Sequence, residues 1–212
     1  MNRIFIGVDE RQPVAYHTLA QSIMDNCSDP VAITPLYKKM LPVEIRSGLT
    51  EFTYSRYLVP YLCNYEGRAL FMDADMLVMG DLKKLFEADL EDCGVFVAPV
   101  TRRFERVSLM LFNNPYCKKL TPEYINTKVP QEIEDWSEKV GTLHPAFNYT
   151  IPYDEHPECD PVVVHYTQGI PCFTETENCE YAQEWRDCSQ IAMSTVSWEE
   201  IMGQSVHKKE MA

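Results

Sequence analysis

The sequence predicts an α/β domain built on a sheet with parallel strands. Three observations carry that expectation. Apolar, β-branched runs alternate with amphipathic stretches from the first residues onward, the pattern of strand–helix–strand units. The chain has 212 residues and is 45% hydrophobic, enough to bury one core and too apolar for a disordered chain. Three strand-like runs end in polar residues, Asp9, Asp73 with Asp75, and His165. Ligands of such sheets gather at the carboxyl ends of strands. Length leaves room for one domain or a compact pair of lobes, and no repeat, low-complexity stretch or linker divides the chain.

Residues 3–9, RIFIGVD, read as a short buried strand ending in a carboxylate. Residues 13–26 follow as a helix, with Pro13 suited to its first turn and Ala15, Leu19, Ala20 and Ile23 on one face. Residues 30–37 make the second strand. Residues 50–63 predict a helix capped by Thr50 or Thr53, with Pro60 as its kink or end. Residues 67–75, GRALFMDAD, are the third strand, and residues 80–90 start another helix with Asp81 at the cap. Residues 93–100 and 106–113 read as strands. Residues 121–126 carry a helix start, with Thr121 as cap, Pro122 in the first turn and Glu123 near the positive end. Residues 160–167 are the last strand. Beyond Pro171 the chain turns polar and helical. The expected division is a main domain over 1–174 and a helical extension with a charged tail over 175–212. Residues 196–212 are amphipathic, but with Lys208 and Lys209 as their basic pair they are not expected to bind a membrane.

Composition narrows the function. The net charge of −13 argues against nucleic acid, whose phosphates need a basic face. The same charge suits a phosphorylated ligand only if a divalent cation is bound, since such an ion can be the largest charge in a site. The 8 cysteines, Cys27, Cys63, Cys93, Cys117, Cys159, Cys172, Cys179 and Cys188, contain no C-x-x-C pair, which speaks against structural zinc. The start, MNRIFIGVDE, shows no apolar leader. The expectation is therefore a cytoplasmic chain with reduced thiols. No apolar run approaches the ~18 residues of a membrane span.

The stretch LFMDADMLVMGDL, residues 70–82, carries the chemistry. Side chains at i and i+2 of a strand point the same way, so Asp73 and Asp75 can face one cation, or divide between a cation and a ligand hydroxyl. An isolated Asp-x-Asp is more often a strand-end turn with a helix cap, but the apolar run before it fixes this pair at a sheet edge, where sites form. Carboxylates suit Mg²⁺ or Mn²⁺, and an imidazole added from His165 favours Mn²⁺. A histidine on a buried strand is, taken alone, better read as a core residue. After three apolar residues at a strand end, it reads as a ligand. The same Asp-x-Asp resembles the nucleophile motif of haloacid-dehalogenase-type phosphatases, in which the first aspartate, here Asp73, attacks phosphate. That motif belongs on the first strand of a domain and needs a later lysine and acidic pair. Here a strand–helix–strand–helix unit precedes it, and the last strand supplies a histidine.

Five stretches, FIGVDERQPVAYHTLAQSI, TEFTYSRYLVP, ALFMDADMLVMGDLKKLF, SLMLFN and VVVHYTQGIPCF, occur in the order found in family-8-like glycosyltransferases, so the chain resembles that family over about residues 3–173. The resemblance implies a GT-A fold, a mixed Rossmann-like sheet flanked by helices in a single domain. It implies a nucleotide-diphospho-sugar donor, most simply a UDP-sugar, a Mn²⁺ or Mg²⁺ ion, and retaining transfer to a glycan, lipid or small-molecule acceptor. It assigns the metal to Asp73, Asp75 and His165. It assigns the donor to Val8, Asp9, Arg11, Arg56, Asp73, Ala74, Asn113 and Gly169, and the reaction face to Asp75, Asn148 and Gln168. Arginine at 56 offers a rigid fork of donors for donor oxygens. Neutral amides such as Asn148 align hydroxyls but are poor bases, and retention in which the leaving phosphate deprotonates the acceptor needs no protein nucleophile. One departure stands out. The family's His-x-x-Gly-x-x-Lys-Pro-Trp ending is HYTQGIPCF here, so the lysine is missing and Gln168 or the Gly169 backbone is left to meet phosphate. That loss keeps a sugar-nucleotide-binding module without catalysis as the alternative to an enzyme.

Overall fold

The computed structural model describes residues 1–194. Strand β1 (Asn2–Gly7) leads into helix α1 (Pro13–Asn26), which opens on Pro13 as its sequence predicts. Strand β2 (Val31–Leu36) returns parallel to β1 in the register Asn2↔Val31 to Gly7↔Leu36. It lies at the sheet edge, where the missing N–H of Pro35 costs no ladder bond. Strand β3 (Arg68–Asp73) is parallel to β1 on its other side, with Gly7 opposite Asp73. Beyond it, strands β4 (Met76–Val78), β5 (Val95–Val97), β6 (Leu109–Asn113), β7 (Val140–Thr142), β8 (Tyr149–Ile151) and β9 (Val163–Tyr166) divide between two sheets. The larger has six strands in the order β2-β1-β3-β6-β5-β7, and the smaller has three in the order β4-β9-β8. β6 runs antiparallel to both β3 and β5, so the sheet is mixed rather than all parallel.

Two apolar clusters cover the faces of the large sheet. Ile4, Ile6, Leu70, Met72 and Leu111 pack beneath α1 with the small sheet and Trp185. Phe5, Ala69, Phe71, Met110 and Phe112 pack beneath Tyr57, Leu58 and Trp136. The alternation along each strand follows the period of two, one residue to each face. Helices α2 (Val59–Leu62), α3 (Lys83–Glu87) and α4 (Pro122–Thr127) are short. Thr121 caps α4 by accepting from the Tyr124 N–H at 3.1 Å. Helix α5 (Ala182–Met193) closes the described chain against α1, where the Cys188 thiol donates to the Thr18 carbonyl at 3.4 Å.

Several elements differ from expectation. The helix expected over 50–63 is a run of turns, a 3₁₀ segment at Ser55–Leu58 and then α2, with Pro60 in the first turn of α2 rather than at a helix end. Residues 80–90 hold only the five-residue α3. Residues 103–108 form a 3₁₀ turn, so β6 starts at Leu109 and not at 106. β3 stops at Asp73, and Asp75 lies in a bend before β4, so the two aspartates do not share one strand face. The stretch 196–212 lies outside the described residues.

Candidate metal and donor site

The site sits where the chain leaves the large sheet for the small one. Buried Ala69–Met72 carry β3 through the core, and Asp73 ends it at the edge shared with β1. Ala74 and Asp75 turn the chain into β4, which pairs antiparallel with β9 so that Met76 lies opposite His165. The Tyr166 N–H donates to the Asp75 carbonyl at 2.9 Å and fixes the bend. Asp73, Asp75 and His165 thereby meet, with one ligand atom of each within 4.8 Å of the others.

Arg56 is buried, and its place comes from packing. A Cβ on Gly7 would stand 2.5 Å from the Phe52 ring, so only glycine lets Phe52 and its neighbours close over the end of β1. The Arg56 guanidinium then lies 5.3 and 5.2 Å from the Phe52 and Phe71 rings and donates to the Val107 carbonyl at 2.8 Å. It also donates to Asp73 Oδ2 at 3.4 Å and stands 3.2 Å from Oδ1. The contact with Oδ1 lacks hydrogen-bond alignment, so this buried oxygen has no partner among the described residues. Asp75 Oδ1 is in the same condition. It lies 3.4 Å from His165 Nε2, too long for a strong hydrogen bond. Two buried carboxylate oxygens without partners, facing one imidazole, are what a divalent cation needs and what an apolar core would not tolerate.

The other side of His165 sets its tautomer. The Ser108 hydroxyl donates to the Glu105 carbonyl at 2.5 Å and accepts from Asn148 Nδ2 at 3.1 Å. With its only proton committed, it can only accept from His165 Nδ1, 3.3 Å away. The network therefore assigns the proton to Nδ1 and leaves the Nε2 lone pair facing the aspartates, the arrangement of a metal-ligating histidine. Burial raises the Asp73 carboxyl to about 7, although Arg56 pulls it down. Burial is also the largest influence on His165 and lowers it, but the combined negative charges of Asp75, Asp73 and Glu105 prevail and raise it. Burial raises Glu105 as well, with His165 opposing and Asp75 adding.

The remaining expected residues fall into three groups. Asp9 and Arg11 close on each other beyond β1: Arg11 Nε donates at 2.9 Å, which keeps the Asp9 carboxyl below its usual range. Val8 beside them is buried. Asn148 does not reach the aspartates but holds Ser108 and the Glu105 carbonyl, and its buried Oδ1 has no partner among the described residues. Gln168 is exposed and donates to the Tyr153 hydroxyl at 2.8 Å. Gly169 has φ +121, and a Cβ there would press on the Phe173 ring at 3.0 Å. Asn113 is misplaced in the sequence reading. β6 is antiparallel to β3 and pairs Asn113 with Arg68, so its amide donates to the Glu91 carbonyl at the edge opposite Asp73. The 3₁₀ turn that leads into β6, with Glu105 and Ser108, stands at the site instead. Ser108 opens the SLMLFN stretch, and that position was the only sign of it in the sequence.

The family model described as glycosyl transferase family 8 matches residues 26–139, more than half of the chain. The chain belongs to glycosyl transferase family 8. This family-8 chain is 33% identical over 219 residues to Protein CDI of Arabidopsis thaliana, across 86% of its own length and 84% of that protein. Among solved structures it resembles the glycosyltransferase GlyE of Streptococcus pneumoniae TIGR4, with a TM-score of 0.67 and 17% identity over 95% of this chain. It spans 62% of the length of GlyE. It also resembles the galactosyltransferase LgtC, crystallised with donor and acceptor sugar analogues, with a TM-score of 0.64 and 13% identity over 93% of this chain and 99% of that one. At such identities the structures speak for the fold, which is GT-A. Family membership makes the family-8 chain a glycosyltransferase.

Proposed function

We infer that the protein moves a sugar from a UDP-sugar to a glycan, lipid or small-molecule acceptor, with a Mn²⁺ or Mg²⁺ ion held by Asp73, Asp75 and His165 and with retention. The observation that carries this reading is the buried Asp–Asp–His cluster, whose ligand atoms lie within 4.8 Å of one another at the sheet edge of a family-8 chain. When bound, the cation supplies Lewis-acid stabilisation for the charge that develops on the departing diphosphate. The protein's own residues do the rest. Arg56 keeps Asp73 oriented from inside the core, and Ser108 keeps the His165 lone pair turned toward the aspartates. The Val8–Arg11 turn and Ala74 cradle the nucleoside, the Gly169 backbone meets phosphate, and the fully buried Asn148 acts from behind, holding the Ser108 that faces His165. Gln168 and Asp75 face the reaction side. No covalent step on the protein is needed if the leaving phosphate takes the acceptor proton.

The test titrates UDP into the protein with Mn²⁺ and with excess chelator, and assays transfer or donor hydrolysis for the wild type and Asp75→Asn. UDP binding is expected to need the metal. Asparagine keeps the size and one acceptor oxygen of the bend but removes the charge that draws the cation, so transfer should fall at least ~100-fold while the melting transition persists. Equal UDP affinity in chelator would sink the metal bridge. Metal-dependent binding without turnover of any nucleotide sugar would make the protein a binding module. Turnover of an aryl phosphate, lost in Asp73→Asn, would restore the phosphatase reading.

A further inference from the structure

The strand order places the aspartate–histidine cluster between two different neighbours. On one side of β3 lies β1 with the Val8–Arg11 turn. On the other lie β6 and β5. β5 runs in the same direction as β3, since both are antiparallel to β6, so the loop after β5 emerges at the same edge as Asp73, two strands or about 10 Å across. That loop carries Arg102.

Arg102 lies with its guanidinium 3.4 Å above the centre of the Tyr153 ring. Its neighbours in the following turn are neutralised, Arg103 by Glu132 at 2.7 Å and Arg106 by Glu134 at 2.8 Å. Arg102 has no carboxylate or carbonyl partner among the described residues, in a chain with 32 acidic against 19 basic residues. A guanidinium laid flat on a ring keeps its N–H edge open to solvent. The platform beneath it is braced. Gln168 Nε2 donates to the Tyr153 hydroxyl at 2.8 Å, the Thr101 N–H donates to Asp154 Oδ1 at 2.7 Å, and the Thr150 N–H donates to Asp154 Oδ2 at 3.1 Å. Thr150 is the register partner of His165, which ties the platform to the cluster. Thr101, before Arg102 in the chain, and Tyr153, beneath it, both line an open cavity of about 620 Å³ that Tyr149, Asp154 and Glu155 also border.

We propose that this cavity receives the acceptor and that Arg102 selects one carrying an anionic group, a phosphate or a carboxylate. The inference rests on the glycosyl-transfer reading and adds the acceptor's chemistry to it. The Tyr149 and Tyr153 walls and the Glu155 carboxylate suit a sugar or polyol, and Arg102, stacked on the Tyr153 that borders the cavity, gives such a molecule a charged end to be held by. Anchored there, with the cluster about two strands away, the acceptor presents its hydroxyl to the donor sugar from the side opposite the nucleoside.

The experiment uses the full chain and three probes, glucose 6-phosphate, glucuronate and glucose, titrated by calorimetry without donor and again with UDP and Mn²⁺. At least one anionic sugar is expected to bind about tenfold or more tightly than glucose. Arg102→Ala should remove that preference, Arg102→Lys should keep part of it, and both should bind UDP with Mn²⁺ as the wild type does. The side chain is exposed, so the unchanged UDP affinity also certifies the fold. The proposal is overturned if neither anion binds better than glucose, if Arg102→Ala keeps the preference, or if Arg102→Ala weakens UDP, which would give the guanidinium to the donor. Failure of the glycosyl-transfer reading looks different: the wild type would show no metal-dependent UDP binding, whatever the donor-free titrations give.

Discussion

In the proposed metal site Asp73 and His165 would each offer a lone pair to the cation, and both hold their protons more tightly than usual. For Asp73 the cause is burial, which carries its carboxyl to about 7. For His165 it is the surrounding carboxylates, against burial. Binding a cation must therefore expel protons, and the affinity for Mn²⁺ should rise as pH goes from about 6 to about 8. Calorimetry in buffers of different ionisation enthalpy counts the protons released, and an affinity flat across that range would contradict the ligand assignment. The stability of the metal-free chain runs the other way. A carboxyl raised from 3.8 to about 7 binds more protons folded than unfolded, so its contribution declines as pH rises through that interval. A histidine raised above 6.5 stabilises below that value and loses the contribution above its folded pKa. The aspartates and His165 stand out in the sequence because each ends an apolar run. Ser108 does not, since its bond to His165 spans 57 residues and leaves no local pattern, and Asn148 is reached only through the family resemblance. Asn113 was misread because the direction of a strand in its sheet is not written in its residues.

At the scale of elements, α5 shows how the small sheet is backed. Trp185 is buried in the cluster beneath α1, on the face of the large sheet opposite the Phe52–Arg56 packing. Trp185→Ala should cost about 3–5 kcal/mol, read as a lower urea midpoint, without changing UDP affinity in the protein that remains folded. A loss below ~1 kcal/mol would mean that α5 is dispensable to the core. The long alternating elements, β1, α1, β2 and β3, are legible because their periods repeat over six or more residues. β4, β7 and β8 are three residues each, too short for any period to show. The helix expected over 50–63 fails for a packing reason. Phe52 and Arg56 must reach β1, Phe71 and Asp73, and the turns and 3₁₀ segment that deliver them replace a regular helix.

Across the whole molecule, α/β alternation announces the fold class, but the split into two sheets is a tertiary outcome that no single stretch encodes. No two of the 8 cysteines are paired in the structure. Titration of thiols in denaturant without reductant should therefore find close to eight, and a count near zero would show a disulfide framework. No helix among the described residues is long and apolar enough to cross a membrane. The aspartate–histidine cluster is not the property of one sheet alone. Asp73 terminates the large one, His165 lies in the small one, and Asp75 is the bend between them. The cluster is thus a seam. Its three-way spacing is set by how the two sheets are placed against each other, so a shift of one sheet against the other changes the distances among all three side chains.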